Sequence, residues 1–129
     1  MRPKVLWVSS TTNPNACIRP NASSYTYLEV YSIYDSERPE IAKASSFGEF
    51  KEALELNKKR FFNEICIDYD LTPTHNGIDC IKYLRDFCKE NSLRFPRITS
   101  LSGDPNKKTE LLSHVYSAYK ALKDMEKYM

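Results

Sequence analysis

Val5-Leu6-Trp7-Val8 is an unbroken apolar run set between the basic start Met1-Arg2-Pro3-Lys4 and a polar Ser/Thr/Asn stretch. An alternating pattern would be covered on one face only, whereas a continuous run fits a strand buried on both faces, the central strand of a parallel sheet. Parallel strands cannot be joined by tight hairpins, so the rest of the chain must supply crossovers. Its 129 residues suit one core, and a composition 41% hydrophobic and 28% charged can fill that core without the charge excess that keeps chains unfolded. A single domain spanning 1–129 is expected.

The segments that follow alternate in character. Residues 9–21 hold Asn, Pro and Thr without periodicity and read as a loop at the carboxyl end of the first strand, where open α/β sheets commonly carry function. Between Ser23 and Ser36 the tyrosines and β-branched residues favour a strand, while Tyr27, Leu28, Tyr31 and Tyr34 also share a helix face. The crossover needed to reach a parallel strand at Glu40 to Ala44 decides for helix. Ser46-Phe47-Gly48-Glu49 has capping-box spacing, and Phe50, Ala53, Leu54 and Leu56 carry a second helix to about Lys58.

Glu64-Ile65-Cys66-Ile67-Asp68 reads as the next strand, and Asn76 caps a helix whose apolar face is Ile78, Ile81, Leu84, Phe87 and Cys88. Arg97 to Leu101 reads as the fourth strand. Asp104-Pro105 then supplies an N-cap and a first-turn proline for a long helix over 105–128. The expected architecture is an open parallel α/β sheet, flavodoxin-like, with helices on both faces and four main strands.

Composition narrows the function. A formal charge of +2, with basic residues scattered apart from Lys58-Lys59 and Lys107-Lys108, leaves no nucleic-acid footprint. No apolar run reaches the length of a spanning helix, and the N-terminus leads into a strand and not a signal peptide, so the expectation is a cytoplasmic protein with no membrane contact. Cys17, Cys66, Cys80 and Cys88 form no CxxC pair, and three fall in apolar stretches, which suits reduced core thiols better than zinc.

If the strands are parallel, one sheet edge gathers Ser9 and Ser10 after the first strand, Asp68 and Asp70 after the third, and Ser102 with Asp104 after the fourth. This pattern resembles the response-regulator receiver domain, in which the third strand ends in an acceptor Asp and the fourth in Ser or Thr with a small residue. Asp68-Tyr69-Asp70-Leu71, Pro73 and Gly77 are similar to the receiver's acceptor, proline and glycine series, with an insertion, and Ser102-Gly103 to the ending of its fourth strand. A closer likeness is to the cyclic-phosphate-processing receiver-like family, whose Asp-x-Asp-Leu motif is matched at Asp68 to Leu71. Its second motif is matched at Ser102 and Pro105, with Lys108 as the following base, while Leu101 and Asp104 replace its His and Asn.

Two departures shape the functional reading. Ser9 and Ser10 stand where a receiver carries acids, and a Mg²⁺ that supports phosphoryl transfer needs several oxygen ligands, usually including carboxylates. The fifth-strand Lys of a receiver has no counterpart. The reading is therefore a degenerate receiver-like regulatory module that binds another protein, with no cofactor and at most weak Mg²⁺ affinity at Asp68 and Asp70. The alternative is a metal-dependent phosphoesterase acting on a cyclic or terminal phosphate, with Asp68 and Asp70 as metal ligands or acid/base groups, and Ser102 and Lys108 holding phosphate. His75, in the loop after Asp70, belongs to the same pocket; His114 lies on a helix.

The C-terminal helix carries a second signal. Leu111, Val115, Ala118, Leu122, Met125 and Met129 repeat at heptad-like spacing, and a helix of this length, roughly 35 Å, exceeds what a short sheet needs for cover. Leu122 and Met125 are thus candidate interface residues for a protein partner or a homodimer.

Overall fold

In a computed structural model of the chain, residues 4–11 and 40–126 are described, with side chains as far as Lys123. Strand β1 (Lys4–Val8) is central, and Val5, Leu6, Trp7 and Val8 are all buried, as an apolar run without alternation requires. It pairs in parallel with β2 (Glu40–Ala44) on one side and with β3 (Glu64–Ile67) on the other. Strand β4 (Arg97–Ser100) adds in parallel to β3, giving the order β2-β1-β3-β4. Among the described residues these four strands follow the flavodoxin-like order, as expected from the sequence. The helix expected over 23–36, together with Cys17, lies outside the described residues.

Three helices connect and follow these strands. Helix α1 (Phe47–Leu56) starts where Ser46 accepts from the Glu49 amide at 3.1 Å, but the Glu49 carboxylate reaches Ser45 and not Ser46, so the capping box is half made. It ends before Lys58 because Asn57 closes it, donating its side-chain amide to the Ala53 carbonyl at 2.6 Å. Leu56, expected on the apolar face, is 76% exposed; at 100° per residue it falls off the stripe that buries Phe50, Ala53 and Leu54. Helix α2 (Gly77–Asn91) has a complete box, Asn76 accepting from the Ile78 and Asp79 amides and Asp79 accepting from the Asn76 amide. Helix α3 (Pro105–Glu126) is capped by Asp104, whose Oδ1 accepts from Asn106 at 2.8 Å.

The two sheet faces differ. Leu6, Val8, Ile65 and Ile67 join one core with residues of all three helices, among them Phe50, Leu54, Ile81, Leu84, Leu111 and Ala118. Val5, Trp7 and Cys66 form a separate buried cluster on the opposite face, with Ile41 and Leu101 against it. Cys66, Cys80 and Cys88 are buried free thiols, and burial pushes Cys80 and Cys88 up to about 12, which keeps them protonated and unreactive. No described helix is long and apolar enough to cross a membrane.

The stripe on α3 serves the core. Leu111 and Ala118 are buried and Val115 and Leu122 pack partly buried against the same cluster. Leu122 is thus partly covered by the core of the same chain, and the Met125 side chain and Met129 lie outside what is described.

Candidate functional site

The carboxyl edge of the sheet is assembled by the ends of β1 and β3. The Asp68 amide donates to the Val8 carbonyl at 2.9 Å, which brings the residue after β3 beside the residue after β1. Ser9, itself buried, then donates its hydroxyl to Asp68 Oδ2 at 2.8 Å. That hydroxyl is oriented from behind, since Ser9 Oγ accepts from the Thr11 amide at 3.2 Å, a Ser/Thr turn that directs its proton toward the carboxylate. The Thr11 hydroxyl adds a longer contact to the same oxygen at 3.4 Å. Asp68 Oδ1 makes no hydrogen bond among the described residues. Ser10 is exposed.

The loop leading from Asp68 to α2 is held at several points. Leu71 is buried in the core, and a closed turn joins the Thr72 amide to the His75 carbonyl at 2.9 Å and the His75 amide to the Thr72 hydroxyl at 3.1 Å. The His75 imidazole stacks on Phe47 with ring centroids 4.3 Å apart, so it bridges the loop to α1. Gly77 donates its amide to the Tyr69 carbonyl at 2.7 Å. A Cβ at Gly77 would lie 2.6 Å from the Asp68 carbonyl oxygen, so glycine is what lets α2 start against the aspartate's own backbone.

Asp70 points the other way. Its Oδ2 meets Lys107 Nζ at 2.5 Å, and Lys107 lies 5.7 Å over the Tyr69 ring, whose hydroxyl donates to Glu110 at 2.9 Å. These contacts tie the first turns of α3 to the loop. The Asp70 hydrogen bond raises the Lys107 pKa, and the Tyr69 pKa rises because its proton is held by Glu110.

The expected pocket is thus brought together in part. Ser9 and Asp68 touch, and Asp70 is engaged with α3. Ser102 and Asp104 build the entry to α3, the Ser102 hydroxyl accepting from the Asp104 amide at 3.2 Å. Lys108, expected to hold phosphate, is exposed, and its amide donates to the Asp104 carbonyl within the helix. Its neighbour Lys107 is the residue that reaches the acidic loop. Among the described residues no group of three or more His, Cys, Asp or Glu side chains is placed to hold a metal ion.

Thr11, Lys107 and Glu64 were not singled out from the sequence. Thr11 had a signal in the Ser-Ser-Thr run. Glu64, at the amino end of β3 and therefore away from the candidate site, had none beyond its place in an apolar strand. It is fully buried; one carboxylate oxygen accepts from the Thr99 hydroxyl and the other has no hydrogen-bond partner among the described residues. Burial pushes its carboxyl up to about 7, against the opposing pull of Thr99 and Arg97.

No protein-family model matches the sequence, and no curated protein does so. Solved structures do match in shape. One is a chain in the co-crystal structure of the Saccharomyces cerevisiae histidine phosphotransfer signaling protein Ypd1 and the receiver domain of its downstream response regulator Ssk1. The TM-score is 0.54 at 22% identity, covering 88% of this chain and 74% of that one. The Vibrio cholerae chemotaxis protein CheY4 matches with a TM-score of 0.50 at 19% identity, covering 88% and 81%.

The fold is receiver-like. Asp68 sits one residue past β3, at the carboxyl edge of the sheet, and the Ser9 hydroxyl meets it there.

Proposed function

We propose that this chain is a degenerate receiver-like regulatory module that acts by binding another protein, with Asp68 serving as an internal hydrogen-bond acceptor. The observation that carries this reading is the Ser9 hydroxyl 2.8 Å from Asp68 Oδ2. A neutral donor there stabilises the carboxylate without adding the negative charge that would gather Mg²⁺ around it, and transfer of a phosphoryl group to an aspartate depends on that metal's charge. The second nearby acid, Asp70, is already paired with Lys107. Support for a protein partner comes by analogy from the yeast receiver domain crystallised with a phosphotransfer protein.

The test is incubation with acetyl phosphate and Mg²⁺ followed by intact-mass measurement. No adduct is expected. A phosphate adduct that disappears in Asp68→Asn would overturn the reading, and turnover of a cyclic phosphodiester lost in Asp70→Asn would replace it with the phosphoesterase.

A further inference from the structure

Asn76-Gly77 is the only Asn-Gly pair in the sequence. In such a pair the side-chain amide is open to attack by the next backbone nitrogen, because glycine adds no side chain to crowd that nitrogen. The pair stands where the Asp68 loop meets α2, and the fold acts on both reacting groups. The Asn76 side-chain carbonyl is the electrophile, and its Oδ1 accepts from the Ile78 and Asp79 amides at 3.0 and 3.2 Å. Two aligned amides draw charge from the carbonyl, as the donors of an oxyanion hole do. The Gly77 nitrogen is the nucleophile and must lose its proton to react. Gly77 is buried, and its amide proton is held on the Tyr69 carbonyl at 2.7 Å. The electrophile is thus primed and the nucleophile blocked, and the block is the loop's own contact with the helix.

We propose that Asn76-Gly77 is a self-modification site, kept closed by the fold, that reacts when the Asp68 loop parts from α2. The Gly77 nitrogen bonds to Asn76 Cγ, the Cγ–Nδ2 bond breaks, and the proton given up by Gly77 leaves with the amide group as ammonia. Water then adds to one of the two carbonyls of the cyclic imide. One opening gives aspartate, the other isoaspartate, in which the main chain runs through the side-chain carbon.

The two products differ in consequence. Aspartate keeps an oxygen for the Ile78 and Asp79 amides and sets a negative charge at the start of α2, where a helix favours it. Isoaspartate lengthens the main chain just before Gly77, and that junction has no slack. A Cβ at Gly77 would lie 2.6 Å from the Asp68 carbonyl oxygen. Isoaspartate therefore unseats α2 from the loop that holds Asp68.

The test holds the full chain in mildly alkaline buffer over a series of urea concentrations. Position 76 is followed by peptide mapping and by enzymatic methylation of isoaspartate, with Asn91-Ser92 as the internal reference. In strong urea Asn76 should convert ahead of Asn91, and in the native chain its conversion should be at least about tenfold slower than in urea. Below the unfolding transition, conversion should rise in step with hydrogen exchange of the Gly77 amide. Asp79→Ala removes the carboxylate that holds the Asn76 amide at 2.9 Å, and should speed native conversion about fivefold with circular dichroism unchanged. Asn76→Asp should melt with the wild type, and the purified isoaspartate form below it.

Equal conversion with and without urea overturns the proposal, since the fold would not be guarding the pair. Conversion that rises only with global unfolding, whatever the fate of Asp79→Ala, removes the loop as the gate. An isoaspartate form that melts with the wild type shows that α2 keeps its seat.

Discussion

Glu64 and Asp68 bracket the same four-residue strand, and the protein treats their charges in opposite ways. Asp68 lies just past the carboxyl end of β3, half-buried, with two hydroxyls directed at one of its oxygens. Glu64 opens the strand fully buried, with one oxygen on Thr99 and the other without a hydrogen bond among the described residues, and burial pushes its pKa up to about 7. The sheet edge where loops begin offers donors and water, so a carboxylate can stay charged there at small cost. The paired body of the sheet offers Glu64 one hydroxyl and buries the rest of its carboxylate, so the charge is disfavoured.

The largest effect that would sharpen this contrast is the pH dependence of stability. A folded pKa raised from 4.5 to about 7 means that Glu64 favours folding most below pH 4.5 and loses that contribution as pH rises through 7. The difference amounts to about 3 kcal/mol. Denaturant unfolding of wild type and Glu64→Gln across this range should show the two curves diverging toward alkaline pH, with the variant the more stable. Parallel curves would break the comparison, because Glu64 would then titrate like a solvated acid.

Next in size is the backbone support of the Asp68 end. Gly77→Ala places a methyl 2.6 Å from the Asp68 carbonyl, where only backbone can move, and should destabilise the fold by about 2 kcal/mol. An unchanged melting temperature would show that the start of α2 can shift without disturbing the acidic loop.

The smallest effect is at Ser9. Removing its hydroxyl in Ser9→Ala deprives Asp68 of its shortest donor and should cost about 1 kcal/mol in unfolding free energy, a loss that Ser9→Thr recovers in part. A cost equal to or above that at Gly77 would mean that Asp68 depends on Ser9 as strongly as a buried charge depends on its partner, and the distinction between the two strand ends would close.

How much of this was legible beforehand varies by residue. The strand cores, Asn76 as a cap and Asp104-Pro105 as a helix start depend on neighbours within a few positions, and each was readable along the chain. The Asn57 stop was not, because its side chain competes locally for the Ala53 carbonyl while the apolar pattern runs on past it. Ser9 and Asp68 could be placed on one edge by topology, but the hydrogen bond between them depended on the Thr11 turn. Of Lys107 and Lys108, adjacent on α3 and so about 100° apart, only the tertiary arrangement decides which faces Asp70.

Helix α3 marks the boundary most sharply. By sequence alone it carries two apolar stripes of helical spacing, Leu111, Val115, Ala118, Leu122 and Leu112, Tyr116, Tyr119, and both satisfy the same periodicity. Periodicity determines that a helix forms and that an apolar face exists. It carries no information about the direction of the sheet, which is set by packing between segments far apart in the chain. The tertiary structure turned the first stripe toward the core and left the second exposed, because a helix can present only one side to the sheet it covers.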